Sequence, residues 1–231
     1  INSKDKEASK INERVTRLAN VENGGIWIGV TATPARLDLN ATLNNDKKAW
    51  VRFKPHNKYV GVDTFFPLSP VAMPNFKLNL LNGQFDQKRE VKKALKNFVV
   101  TVASRNTDPK LEQRHYSMVI HTSGKKDDHK IDHKVTQDFF HDLESENQSL
   151  YDDLETLIKQ TNSNNVDACL QYIYLNRQQY VIRTVNSETD RKTDNIKLVT
   201  EPQAPFTVAI GGNIISRGVT FDNLLSLFFT R

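Results

Sequence analysis

The stretch FTVAIGG, residues 206–212, is an apolar run that ends in two glycines. Such a run is typical of a β-strand that is covered on both faces, and Phe206–Ile210 is predicted to be the last strand of the chain. The glycines allow the backbone to approach a ligand closely and to direct N–H groups at it, which suits a phosphate. For a bare glycine pair, a plain turn that needs positive φ is the better explanation.

Upstream of this strand, helical and strand patterns alternate. Three earlier apolar runs predict strands, namely IWIGVTAT at 26–33, YSMVIH at 116–121 and YVIRTV at 180–185. Apolar residues at helical spacing predict helices around 91–102, 135–143 and 150–158. Strands separated by helices of this length imply parallel crossovers, so the predicted fold class is α/β with doubly wound parallel sheets. Ligands of such folds bind beyond the carboxyl ends of the strands.

The periodicity fades between residues 40 and 83, where Asn, Pro and Lys are frequent. A stretch of this kind is typical of a connector between lobes. We therefore predict two lobes, residues 1–83 and 84–231. The strand at 26–33 is expected to lie in a different sheet from the strands at 116–121, 181–185 and 206–210.

Composition limits the classes of protein that fit. The chain has 231 residues, 38% of them hydrophobic, and a formal net charge of +5. There is no run of about 18 apolar residues and no basic-then-apolar order of a secretion signal, so we expect a cytosolic protein. The single cysteine, Cys169, excludes an internal disulfide framework and a cysteine zinc site, and we expect it to be buried. The positive charge permits attraction to a polyanion, although 27 acidic residues dilute it.

The order of the short motifs is more specific than any one of them. TATP at 31–34, HTS at 121–123 and GGNIISRGVTF at 211–221 follow one another as motifs III, IV and V do in superfamily-two helicases. In detail, SMVIH, GGNIISRGVTFDNL and the closing FFTR resemble the Z1 domain family, proposed endonucleases joined to a helicase-like ATPase in bacterial restriction and defence proteins. The resemblance implies RecA-like lobes and a nucleic-acid-dependent ATPase that acts as a DNA translocase.

The resemblance also implies roles for individual residues. A motif that couples the nucleotide site to the nucleic acid matches Thr31, Ala32, Thr33 and Pro34. Nucleic-acid contacts fall on His121, Thr122, Ser123, Gly211, Gly212 and Asn213. Positions near the nucleotide are Ser216, Arg217, Gly218 and Thr220. The sequence departs from many helicases at 212–213, where Thr-Asp is usual, and at 220, where Asp is common. Arg217 pairing structurally with Asp222 is the alternative to its nucleotide role.

Several expected motifs are absent from the sequence. No GxxxxGK[ST] phosphate loop occurs, and KDKEASK at 4–10 is a poor match to an acidic magnesium-binding motif. We therefore expect an internal part of a longer protein that ends just short of motif VI and does not hydrolyse ATP alone. The full-length protein is expected to use ATP and Mg²⁺, to bind DNA, and to work with nuclease or methyltransferase domains or subunits of a restriction system.

Two alternative functions remain open, a magnesium-dependent endonuclease and a non-catalytic interaction module. One candidate metal cluster lies at helical spacing and comprises His129, Asp132, His133 and His141. A partial nuclease constellation comprises Asp86, Glu90 and Lys92. Both stretches are highly charged, and solvated helix charge is the better explanation, so no metal site is assigned.

Overall fold

The chain forms two compact units, Ile1–Lys77 and Leu78–Arg231. The computed structural model describes residues 3–4, 7–8, 14, 17, 54, 56–57, 77–81, 83–123, 125–161, 165–185, 197, 200–212 and 219–230. In the first unit, strands β1 (Ser3–Lys4) and β2 (Glu7–Ala8) pair antiparallel. The predicted strand at 26–33, and its separation from the later sheet, lie outside the described residues. The division of the chain near Gly83 stays a prediction.

The second unit contains a four-stranded parallel sheet. Its strands are β3 (Tyr116–His121), β4 (Tyr180–Val185), β5 (Phe206–Gly211) and β6 (Leu224–Phe229), in the order β4-β5-β3-β6. Every neighbouring pair is parallel, which confirms the α/β class and the three strands predicted in this unit.

The prediction that the chain's last strand is Phe206–Ile210 is wrong, because β6 follows it. β6 has the sequence LLSLFF and lies at the edge of the sheet, where only Phe228 is buried. An edge strand that mixes buried and exposed apolar residues shows neither strict alternation nor continuous burial, so it lacks a clear strand pattern in the sequence.

Four helices with fully described bounds accompany this sheet: α1 (Gln87–Asn106), α2 (Lys126–Glu144), α3 (Gln148–Thr161) and α4 (Val166–Asn176). Helical spacing predicted the first three. It did not predict α4, because only Cys169 and Ile173 are buried there while Tyr174 and Leu175 are exposed. None of the described helices is long and apolar enough to cross a membrane.

Alternation along the strands creates two separate apolar clusters. The larger cluster holds alternate strand residues, such as Met118 and Ile120, together with the buried faces of all four helices. Cys169 lies in it, as expected. The smaller cluster holds Val119, Val185 and Ala209, with Phe221 packed against it. Because successive strand residues point to opposite faces, His121 lies on the same face of β3 as Val119.

Candidate functional site

The carboxyl ends of three parallel strands meet at one edge of the sheet. Ile120 of β3 pairs with Ile210 of β5, so the segments that begin at His121 and Gly211 leave the sheet side by side. On the other side of β3, His121 pairs with Phe229 of β6. The structure therefore brings together segments 121–123 and 211–212, which the sequence predicted to share a ligand. We call residues 121–123, 211–212 and 229–230 the strand-end edge.

The backbone of segment 121–123 is held by hydrogen bonds to each of its three carbonyl groups. The Thr230 backbone N–H donates to His121 O at 3.3 Å. The Thr230 hydroxyl donates to Thr122 O at 3.0 Å. Nε2 of His129, on α2, lies 2.8 Å from Ser123 O. Two flanking elements thus fix the course of the segment before any ligand binds.

A buried carboxylate fixes the middle residue of the segment. Thr122 is buried and its hydroxyl donates a hydrogen bond to Asp132 Oδ2. Asp132 on α2 is 1% exposed, and its Oδ1 accepts a second hydrogen bond from Gln87 Nε2 at 2.8 Å. The Thr122 hydroxyl is therefore engaged inside the protein. The geometry gives Thr122 a positioning role, whereas a role in touching nucleic acid stays a prediction.

Ser123 differs from its two neighbours because it is partly exposed. Its Oγ accepts a hydrogen bond from the Lys125 backbone N–H at 2.9 Å. A hydroxyl can accept one hydrogen bond and still donate its own proton. Lys125 and Lys126, just before α2 and at its start, are exposed. Among residues 121–123, Ser123 is the one whose side chain is partly open to solvent.

The imidazole of His121 is buried and forms no hydrogen bond with the described residues. The residue is 3% exposed, and neither ring nitrogen has a partner in the part of the chain that the structure describes. Its ring packs against Phe229, with 5.0 Å between ring centroids and 32° between ring planes. Buried polar groups are nearly always hydrogen-bonded in folded proteins, so this residue requires an explanation.

The remaining predicted residues are placed as follows. Gly211 and Gly212 are buried at the end of β5, and Thr220 is exposed. Asp222 donates its backbone N–H to Thr200 O at 2.7 Å. Outside the described residues lie Thr31, Ala32, Thr33, Pro34, Asn213, Ser216, Arg217 and Gly218.

The histidines of α2 bond to different partners. His133 Nδ1 lies 3.0 Å from Thr184 Oγ1 of β4, whereas His129 bonds to Ser123 O and His141 is exposed. Burial, and secondarily the nearby positive charge of Arg183, lower the pKa of His133 below its ordinary value. No group of three or more His, Cys, Asp or Glu residues able to hold a metal occurs in the described part of the chain.

The acidic residues at the start of α1 are engaged locally. Asp86 is the N-cap of α1 and accepts hydrogen bonds from the backbone N–H groups of Lys88 and Arg89. Glu90 lies 3.8 Å from Lys93, one turn further along the helix. The described geometry therefore gives Asp86 a capping role in this helix, and Lys92 is exposed.

An open groove lies between α3 and α4. Its volume is about 330 Å³, and its lining is aromatic and acidic: Gln148, Tyr151, Asp152, Glu155, Leu170, Gln171 and Tyr174. The polar side chains here pair locally, since Gln148 Nε2 donates to Asp152 at 2.8 Å and Glu155 pairs with Lys159 at 2.5 Å.

Sequence reasoning missed the residues that hold the strand-end edge. Asp132 was considered only as a metal ligand, and Thr230 and Phe229 received no role. The one sequence signal for Asp132 is its helical i, i+3 spacing from His129, which places both on one face of α2. The contact of Thr230 with Thr122 spans 108 positions and depends on the pairing of β6 with β3.

A family model described as the Z1 domain matches residues 90–231. The matched range contains the whole parallel sheet and most of the helical layer. No curated protein and no solved structure matches the chain.

Proposed function

The chain belongs to the Z1 domain family, and on that premise we propose that it is part of a nucleic-acid-dependent ATPase, a helicase-like DNA translocase that serves a restriction or defence system. In this proposal residues 84–231, which lie within the unit Leu78–Arg231, form the second of two RecA-like lobes. It carries the motif segments that contact DNA and respond to the nucleotide.

One observation carries the proposal: the two predicted nucleic-acid segments, 121–123 and 211–212, lie side by side at the carboxyl end of a parallel sheet. This edge is where open α/β sheets bind their ligands. The segment after β3 is also fixed at three consecutive carbonyl groups. A preformed backbone reduces the loss of conformational entropy when a ligand binds, so this edge is suited to recognition.

The charges around this edge agree with a polyanionic ligand. Lys125 and Lys126 are exposed next to Ser123. α2 begins at Lys126, and a helix N-terminus carries partial positive charge. Asp127 and Asp128 are also in the first turn, and the Asp127 carboxylate pairs with Lys130 at 2.9 Å, a contact that lowers the Asp127 pKa. Lys125, Lys126 and Lys130 therefore outnumber the two carboxylates. The local balance of charge therefore favours phosphate groups.

ATP and Mg²⁺ are the proposed cofactors of the full-length protein. The phosphate loop that would bind ATP is proposed to lie outside this sequence. Arg217 is proposed to face the nucleotide phosphates across the cleft between lobes, where it stabilises charge that develops during hydrolysis. DNA is the proposed partner, with nuclease or methyltransferase domains or subunits of a restriction system.

The test is DNA-stimulated ATP turnover by the full-length protein and by its Arg217→Ala variant. We expect DNA to stimulate turnover, and Arg217→Ala to lower it by roughly 10² or more. DNA affinity at fixed salt should change much less, because it arises from many phosphate contacts. Thermal unfolding of the same variant separates this role from a structural pair with Asp222, since loss of that pair lowers the melting temperature and all activities together.

Two results would contradict the proposal. If the Arg217→Ala protein is stably folded and its ATP turnover is normal, Arg217 does not couple DNA binding to hydrolysis. The second result is a full-length protein that does not turn over ATP but cleaves DNA in the presence of magnesium. If Glu90→Ala or His133→Ala abolishes that cleavage and exposed Lys92→Ala does not, the endonuclease alternative is correct. Absence of both activities, with no DNA binding, leaves the non-catalytic interaction module.

A further inference from the structure

We propose that Phe229, supported by the ring of His121, is a stacking platform for one base of a single-stranded nucleic acid. The inference rests on the proposed function and adds a subsite that the sequence motifs do not assign. It follows from the exposure of Phe229, from its place beside the fixed segment 121–123, and from the unpaired nitrogens of His121.

Phe229 is exposed because of its position in the sheet. β6 pairs with β3 on one side, and no other described strand pairs with its outer side. Along β6, which is the lateral edge strand of the sheet, Phe229 is 49% exposed and Leu227 is 58% exposed. They pair with His121 and Val119 of β3 and share their face of the sheet. The result is an aromatic ring that is open to solvent at the carboxyl end of the strand.

The ring of Phe229 is held in place from within the sheet. His121 packs against it at 5.0 Å between centroids and is itself 3% exposed. The next residue, Thr230, is tied to His121 O and Thr122 O by two hydrogen bonds. A ring fixed on one face and open on the other loses little conformational freedom on binding, as a stacking platform requires.

Charge favours a nucleotide over an apolar protein segment as the occupant. The hydrogen bonds of Thr230 fix Phe229 close to segment 121–123, which leads into the exposed Lys125 and Lys126. An aromatic side chain combined with neighbouring cations is the common design of sites for single-stranded nucleic acid. Phe229 takes the face of the base, and the lysines and Ser123 take phosphates.

His121 adds a polar contact to the same subsite. Both of its ring nitrogens are buried without a partner among the described residues, and an unsatisfied buried polar group carries a free-energy penalty. A ligand that brings an oxygen to this strand end removes that penalty. We assign the contact to a sugar or phosphate oxygen of the stacked nucleotide, because the base itself lies on the outer face of Phe229.

The experiment measures fluorescence anisotropy of labelled oligonucleotides with the whole 231-residue chain at fixed salt. The probes are an oligothymidine and an abasic oligonucleotide of equal length, which carries the same phosphates without bases. The variants are Phe229→Leu, Phe229→Trp and His121→Phe. Phe85→Leu is the matched control, since Phe85 is 38% exposed in the segment before α1. Thermal unfolding verifies that each variant is folded.

We expect Phe229→Leu to weaken oligothymidine binding about fivefold or more, because one stacked base contributes about 1–3 kcal/mol. Its affinity for the abasic probe should stay unchanged, and Phe229→Trp should retain the affinity of the wild-type chain. His121→Phe keeps a ring at this position but removes both nitrogens, so it should weaken both probes. Phe85→Leu should alter neither.

The outcomes separate this inference from the proposed function. If Phe229→Leu binds oligothymidine as tightly as the wild-type chain, the stacking platform is wrong while nucleic-acid binding stands. If His121→Phe binds both probes normally, the contact through the imidazole is wrong. A wild-type chain that binds neither probe contradicts both proposals. A change of self-association in Phe229→Leu, with unchanged oligonucleotide affinity, identifies the patch as a protein contact and overturns the inference.

Discussion

The strand-end edge and the groove between α3 and α4 differ in what their polar groups do. In the groove, carboxylates and amides pair with neighbours one helical turn away and remain close to solvent. At the strand-end edge, residues distant in sequence converge, and the carboxylate of Asp132 is buried to hold a hydroxyl of the segment after β3. The groove encloses about 330 Å³, whereas the strand-end edge has the more organised polar contacts. A concave surface alone therefore does not identify the region whose polar groups are most organised.

The largest expected difference between the regions is in stability. Asp132→Ala leaves the Thr122 hydroxyl and the Gln87 amide without their shared acceptor, and we expect a loss of about 2–4 kcal/mol in unfolding free energy. The matched control is Asp138→Ala on the same helix. Asp138 forms an exposed ion pair with Lys134 at 3.3 Å, so its loss should be below about 1 kcal/mol. If urea unfolding shows equal losses of unfolding free energy for Asp132→Ala and Asp138→Ala, the buried contact stabilises the fold no more than the exposed ion pair does.

A smaller effect is expected from the hydroxyl that joins β6 to the segment after β3. Thr230→Val keeps the shape of the side chain and removes its hydrogen bond to Thr122 O, so we expect a loss of about 1 kcal/mol. The control is Thr161→Val, which removes a bond to Leu157 O at the exposed end of α3. Oligonucleotide affinity should fall for Thr230→Val and stay constant for Thr161→Val. If Thr161→Val lowered oligonucleotide affinity and Thr230→Val did not, the hydroxyl that supports binding would be the one in the helical layer.

Part of the pH dependence of stability should come from the side of the sheet that joins α2 to β4. The folded-state pKa of His133 is lowered by burial and by Arg183, so the unfolded chain binds more protons near the ordinary pKa of histidine. Stability should therefore decrease as the pH falls through about 6.5, until His133 also protonates in the folded protein. His133→Gln should flatten this dependence in urea unfolding. His141→Gln, an exposed change on the same helix, should leave it unchanged, and a reversed pattern would contradict the assignment.

The smallest effects are expected in the groove. Glu155→Gln removes an exposed ion pair with Lys159, so stability should change by less than about 1 kcal/mol. Oligonucleotide affinity should not decrease, because this carboxylate lies in a surface that we do not assign to nucleic acid. A marked loss of affinity in this variant would move the binding surface from the strand ends to the helical layer.

The same two regions show how far a sequence predicts structure. The apolar runs of β3 and β5 and the periodicity of α1 are local patterns set by burial, and they predicted the elements correctly. The helix α4 was missed because it borders the groove and exposes apolar residues on the side away from the core. Its sequence therefore lacks the clean periodicity of a helix packed on one face.

The chemistry of the site was less predictable than the fold. His121 looks like a surface contact in the sequence, yet it is buried, because β5 and β6 flank it on both sides. The sequence does not show which hydroxyl meets Asp132, or that Thr230 reaches Thr122, because both contacts depend on the pairing order of the strands. Residues whose partners come from other elements are the ones that sequence patterns describe least well.

The most direct test of the strand-end edge is an NMR titration of the isotope-labelled chain with single-stranded oligothymidine. We expect amide shifts to change first and most at Ser123, Gly211, Gly212 and Phe229, while Tyr151, Leu170 and Tyr174 in the groove stay unchanged. This pattern would locate the nucleic-acid site at the carboxyl end of the sheet. Saturable shifts confined to the groove, with an unperturbed strand-end edge, would contradict the central claim.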